Sequence, residues 1–74
     1  MENLTELQML LTKALKAMNL DEAAILFIML ALKNESAQGA MLLFIKDNYK
    51  TATQDEFMQA AVDYQEIAEE MGLE

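Results

Sequence analysis

The chain reads as an all-α domain of four short helices with short loops. Three observations predict this. Proline is absent and glycine occurs twice in 74 residues, which disfavours tight hairpins and strands in favour of helices. Apolar residues recur at spacings of three and four, the mark of one buried helical face. Cap residues stand between the apolar stretches.

The first helix is predicted over residues 4–18. Leu4, Leu7, Leu11, Ala14 and Met18 form one stripe, widened by Leu10 and Leu15, while Glu6, Thr12, Lys13 and Lys16 fall off it. Asn3 followed by Glu6 makes a capping box, and Asn19 ends the helix.

The second helix spans 21–33 and opens at Asp21, a good N-cap. Residues 23–32 (AAILFIMLAL) are ten consecutive apolar positions. A helix with one wet face shows a polar residue every three or four positions, and this run shows none. At 100° per residue, Glu22 and Lys33 fall within about 20° of each other, so the apolar residues occupy almost all the rest of the circumference. Ala23, Phe27 and Leu30 line one side and are expected to meet helices of the same chain. Ala24, Ile28 and Leu32 line another side, which could do so too or could meet a second copy.

Asn34-Glu35-Ser36 is the next turn, with Asn34 or Ser36 as cap, and a third helix follows over 36–48. It carries a second apolar run, residues 40–45 (AMLLFI). Gly39 is expected to allow close helix approach or to mark a late start. Lys46 and Lys50 suit the negative end of the helix dipole. Thr53 with Glu56 is the cleanest capping box, and it opens a fourth helix over 54–71. Phe57, Ala61, Tyr64, Ala68 and Met71 form its stripe, joined by Met58 and Ile67. Gly72 stands where a left-handed C-cap belongs, with Leu73 placed to pack back on the last turn. The tripeptides Leu26-Phe27-Ile28 and Leu43-Phe44-Ile45 are alike, but their flanks do not align, and chance accounts for them. No linker or low-complexity stretch appears, so residues 1–74 are read as a single helical domain whose second and third helices are central.

Composition excludes more than it assigns. With no cysteine and no histidine, a disulfide, a thiolate or imidazole metal site and a His-based nucleophile are all ruled out. Ser36 is the only serine and sits where a cap is needed. The chain is therefore expected not to be an enzyme, and no cofactor, metal or small-molecule substrate is indicated. The absence of cysteine and of a basic leader fits the cytoplasm. The ten-residue run spans about 15 Å as a helix, roughly half a bilayer core, so membrane insertion is not expected.

Formal net charge is −8, and it is segregated. Residues 1–50 hold six acids and five bases, whereas 51–74 hold seven acids and no base. Such a field repels free nucleic acid and attracts basic protein surfaces. Asp63, Glu66, Glu69 and Glu70 form an acidic face on the fourth helix; a solvated surface is the simple reading. The size, acidity and helix count are shared with acyl carrier proteins. Their phosphopantetheine serine lies in Asp-Ser-Leu at the second helix, and Glu35-Ser36-Ala37 at a later turn does not fit that pattern.

These features predict a protein–protein interaction module that self-associates as a homodimer, or binds a protein partner, through apolar surface on the second or third helix. The candidate interface is Ala24, Ile25, Ile28, Met29, Leu32, Leu42 and Leu43. Met9 and Met29, both near the polar side of their helices, are candidate interface methionines. One alternative is an acidic decoy that inhibits a basic nucleic-acid-binding protein through the fourth helix. Another is a helix-turn-helix DNA-binding regulator, in which Ser36 and Gln38 would begin the reading helix. Against the latter, residues 40–45 fill that helix with apolar side chains where a groove requires polar and basic ones.

Overall fold

In a computed structural model, which describes residues 6–72, the chain forms α1 (Glu6–Ala17), α2 (Glu22–Ala31), α3 (Glu35–Asn48) and α4 (Gln54–Met71). The all-α, four-helix expectation holds. No helix among the described residues is long and apolar enough to cross a membrane. Asn3, Leu4 and Leu73, with the cap and packing expected of them, lie outside the described residues.

Local signals set most of the boundaries. Asn19 takes a left-handed φ of 61° just after α1, a conformation that asparagine tolerates better than most side chains. At α4, Thr53 Oγ1 accepts from the Glu56 N–H at 3.2 Å, and the Thr53 N–H donates to Glu56 Oε1 at 2.7 Å. Both halves of the capping box are thus made. Gly72 closes the helix at φ 69°, its N–H directed at the carbonyls of Ala68 and Glu69.

One cap bond and one boundary depart from expectation, and tertiary hydrogen bonds stand in place of the local ones at both. Asp21 occupies the N-cap of α2 without capping it. Its N–H instead donates to Gln54 Oε1 at 2.9 Å, and its carboxylate accepts from Gln54 Nε2 at 3.3 Å. α2 ends at Ala31 rather than at residue 33, because Leu32 turns to extended backbone (φ −91°, ψ 98°). The freed groups are taken up by two buried glutamines. Gln38 Nε2 donates to the Leu32 carbonyl at 3.0 Å, and Gln65 Oε1 accepts from the N–H groups of Lys33 and Asn34 at 2.8 and 3.2 Å. Asn34 holds the N-cap position of α3, and its Oδ1 accepts from Gln65 Nε2 at 3.3 Å.

The same contacts define the topology. Thr12 Oγ1 approaches Met29 Sδ at 3.9 Å, so α1 and α2 run antiparallel around their short turn. Phe44 meets Phe57 and Tyr64 edge-on, with centroids 5.6 and 6.1 Å apart, so α3 and α4 form a second antiparallel hairpin. Gln54 beside Asp21 and Gln65 beside Lys33 place α2 and α4 parallel, joined at both ends. α1 and α3 are then parallel as well. The helices form a ring in which α1 and α4 each pack against both α2 and α3. Among the described residues, α2 and α3 make no close backbone approach, and neither do α1 and α4. The expectation that the second and third helices are central is corrected, since every helix has two neighbours. The two hairpins repeat in space, but Leu26-Phe27-Ile28 and Leu43-Phe44-Ile45 fall on non-equivalent helices and do not mark that repeat.

Leu11, Leu15, Ile28, Leu32, Met41 and Phe57 form the fully enclosed centre of the ring, where burial of each large side chain contributes about 1.5–3 kcal/mol. Gly39 lies inside α3, and a Cβ built on it meets nothing within 4 Å. It therefore neither permits close approach nor marks the helix start. Gly39→Ala is expected to stabilise the fold by about 0.5–1 kcal/mol, raising the urea midpoint at unchanged slope. Gln65→Leu keeps the volume but removes the acceptor for two linker N–H groups. It is expected to cost about 2 kcal/mol in the same assay, and to increase amide exchange at Lys33 and Asn34.

Candidate functional site

The ring covers α2 on two sides only, and the apolar run extends around it. One side enters the core: Ala24, Ile28 and Leu32 are buried. The other remains outside, with Leu26, Phe27 and Leu30 exposed to 60, 42 and 66 %. Leu30 stands four residues from Leu26 and three from Phe27, so it is the surface neighbour of both and joins them into one ridge. Ala23, also exposed, extends the ridge by one turn.

This reverses the face assignment made from sequence. Ala23, Phe27 and Leu30 were expected inside and are exposed; Ala24, Ile28 and Leu32, named as interface, are enclosed by the chain's own core. Ile25, Met29 and Leu42 also pack against that core, and Leu43 alone of the named interface residues is exposed, at 62 %. The reason is that an almost uniformly apolar helix has no polar stripe to point outward. Its rotation is set by tertiary contacts: Met29 against Thr12 of α1, and the Gln54 and Gln65 bonds from α4. Of the two candidate methionines, Met9 is exposed and Met29 is partly buried.

Phe27 does not stand alone. With Asp55, Met58, Gln59 and Val62 of α4 it lines an open groove between the two parallel helices. Met58 and Val62 are half-buried, whereas Asp55 and Gln59 are exposed. Glu66 follows Val62 by four residues and continues the same border. The surface is thus an apolar ridge on α2, a half-buried floor, and a border on α4 that carries Asp55 and Glu66.

The acidic face is exposed as expected: Asp63, Glu66, Glu69 and Glu70 all lie at the surface of α4. Two of the four are engaged within the helix. Asp63 accepts from Gln59 Nε2 at 3.0 Å and Glu69 from Gln65 Nε2 at 3.0 Å. No group of acidic side chains among the described residues is placed to hold a metal ion. The helix-turn-helix alternative loses its reading residue, because Gln38 is buried beneath the α2–α3 linker and holds the Leu32 carbonyl. Ser36 is exposed within the first turn of α3.

Sequence reasoning found the right helix and missed Leu26, Phe27 and Leu30 as the exposed part of it. Side-chain size gave no signal, because Ile28 and Leu32 are as large and fully buried while Ala23 is small and exposed. Compared with known proteins, the chain matches no family model, no curated protein and no solved structure.

Proposed function

We propose that the protein is a non-catalytic protein–protein interaction module that docks a partner protein, or a second copy, on the ridge of Leu26, Phe27 and Leu30. The single observation that carries this reading is the contiguous exposure of three large apolar side chains on one helix whose other face forms the core. Isolated apolar residues on a surface are ordinary, but a contiguous ridge costs solvation and tends to mark a contact site. Leucine and phenylalanine anchors beside a half-buried floor are of the kind that supply most of an interface's energy. The lack of cysteine supports a cytoplasmic setting.

The acidic decoy remains a second reading, favoured by the absence of any base on α4. It is weakened by the engagement of Asp63 and Glu69 in bonds within the helix.

Two experiments test these readings. Leu26→Glu with Leu30→Glu is expected to leave urea stability within about 0.5 kcal/mol, since both sites are exposed. It should abolish partner capture from the native host or, if the partner is a second copy, convert the sedimentation mass to monomer. Leu43→Glu on α3 should do neither. Ile28→Glu places a carboxylate in the core and is expected to unfold the domain, by about 3 kcal/mol or more. Unchanged capture and unchanged mass in the Leu26/Leu30 variant would overturn the ridge. Glu66→Lys with Glu70→Lys separates the decoy reading: binding that this pair abolishes, that salt suppresses and that Leu26→Glu with Leu30→Glu leaves intact would establish the decoy in its place.

A further inference from the structure

We propose that the occupant of this surface is an amphipathic helix with a basic edge, lying along the groove between α2 and α4. The inference rests on the reading of the α2 ridge as a docking surface, and it names what docks there.

The shape of the groove comes first. α2 and α4 are parallel and are tied together at Asp21–Gln54 and again at Lys33–Gln65. The ties stand 12 residues apart in the chain, from Asp21 to Lys33, which at helical rise is roughly 18 Å, the length of about three turns. An extended peptide would need backbone partners, yet the N–H and C=O groups along α2 and α4 are spent within their own helices. A helix satisfies its own backbone and presents a stripe of side chains. That stripe meets Phe27 on the α2 wall and Met58 and Val62 on the floor, with Leu30 and then Leu26 on the ridge outside.

Charge selects the chemistry of the occupant's outer edge. Asp55, Gln59 and Glu66 stand at positions i, i+4 and i+11, which brings them within about 40° on α4. α4 brings no base to this border, since none occurs in residues 51–74. Lys33, in the α2–α3 linker, is a base held near it, at the Gln65 end. A helix lying in the groove therefore meets apolar side chains on one flank and a carboxylate border on the other. Lysines or arginines along the second flank would complement it. A second copy is disfavoured, because it brings a like net charge of −8 and the same acidic border.

The test uses the intact protein and two synthetic helix-forming peptides of roughly 14 residues. Both carry leucines at i, i+4, i+7 and i+11; one has lysines along one edge of that stripe, the other glutamates. Fluorescence anisotropy should show binding of the lysine peptide only, weakening as salt rises. Leu26→Ser with Leu30→Ser should weaken it by about tenfold or more. Asp55→Lys with Glu66→Lys should weaken it as much and transfer preference to the glutamate peptide. Glu6→Lys with Asp47→Lys, on α1 and α3, makes the same change in net charge away from the groove and should alter affinity by no more than about twofold. Equal loss from that control pair would reduce the binding to net charge alone and overturn the proposal. So would indifference to Leu26→Ser with Leu30→Ser, or no binding of the lysine peptide. If the peptide fails while Leu26→Glu with Leu30→Glu still abolishes capture, the basic helix falls and the docking ridge stands. A wild-type dimer that the Leu26/Leu30 change dissociates would make the second copy the occupant and overturn the basic helix.

Discussion

The arrangement depends on two glutamines of α4 that hold α2 in parallel register. Gln54 pairs with Asp21 at one end, and Gln65 takes the Lys33 and Asn34 N–H groups at the other. Helices joined by short loops usually pack beside the helix that follows them. Here α2 and α3 are consecutive yet lie across the ring from each other, so the linker must cross its end. A crossing of three residues leaves backbone groups without helical partners. Gln65 and Gln38 satisfy them from beneath, and both are buried to do so. Gln38 Oε1 itself has no partner among the described residues. A buried acceptor left unmet costs about 1–3 kcal/mol; in exchange, the Leu32 carbonyl is satisfied.

Once that register is set, the exposed ridge follows from geometry. α2 is apolar nearly all round but is covered on two sides only. Ala24, Ile28 and Ala31 lie toward the neighbours, and Leu26, Phe27 and Leu30 are left outside. α3 also carries an apolar run, yet only Leu43 of that run is exposed in the same way. Phe44 is taken up by Phe57 and Tyr64 of the same hairpin, and Leu42 packs against the core. The two runs look alike in one dimension and differ in what their neighbours cover.

The register also brings together two features that are separate in the chain. The apolar run is in α2 and the negative charge is concentrated after residue 50. Along the chain, a surface on α2 and a surface on α4 therefore read as competing sites. Parallel packing makes them two walls of one groove, with Phe27 beside Asp55. In the docking proposed above, burial of apolar side chains would supply affinity, while the carboxylates at the rim would act mainly on orientation and encounter rate.

The amino-acid sequence by itself determined the four helices, the Thr53–Glu56 box, the left-handed Gly72 and the break at Asn19. These depend on side chains that bond to their own backbone, or on φ preferences, and so are local. The acidic surface of α4 was legible for the same reason: charged residues at helical spacing seldom enter a core unpaired. Only the tertiary structure decided the ring order, the early end of α2 and the rotation that buries Ile28 while exposing Leu26 and Leu30. An amphipathic helix announces which face turns inward. A helix that is apolar on nearly every side carries no such mark, and its orientation is chosen by contacts with residues 17 to 33 positions away.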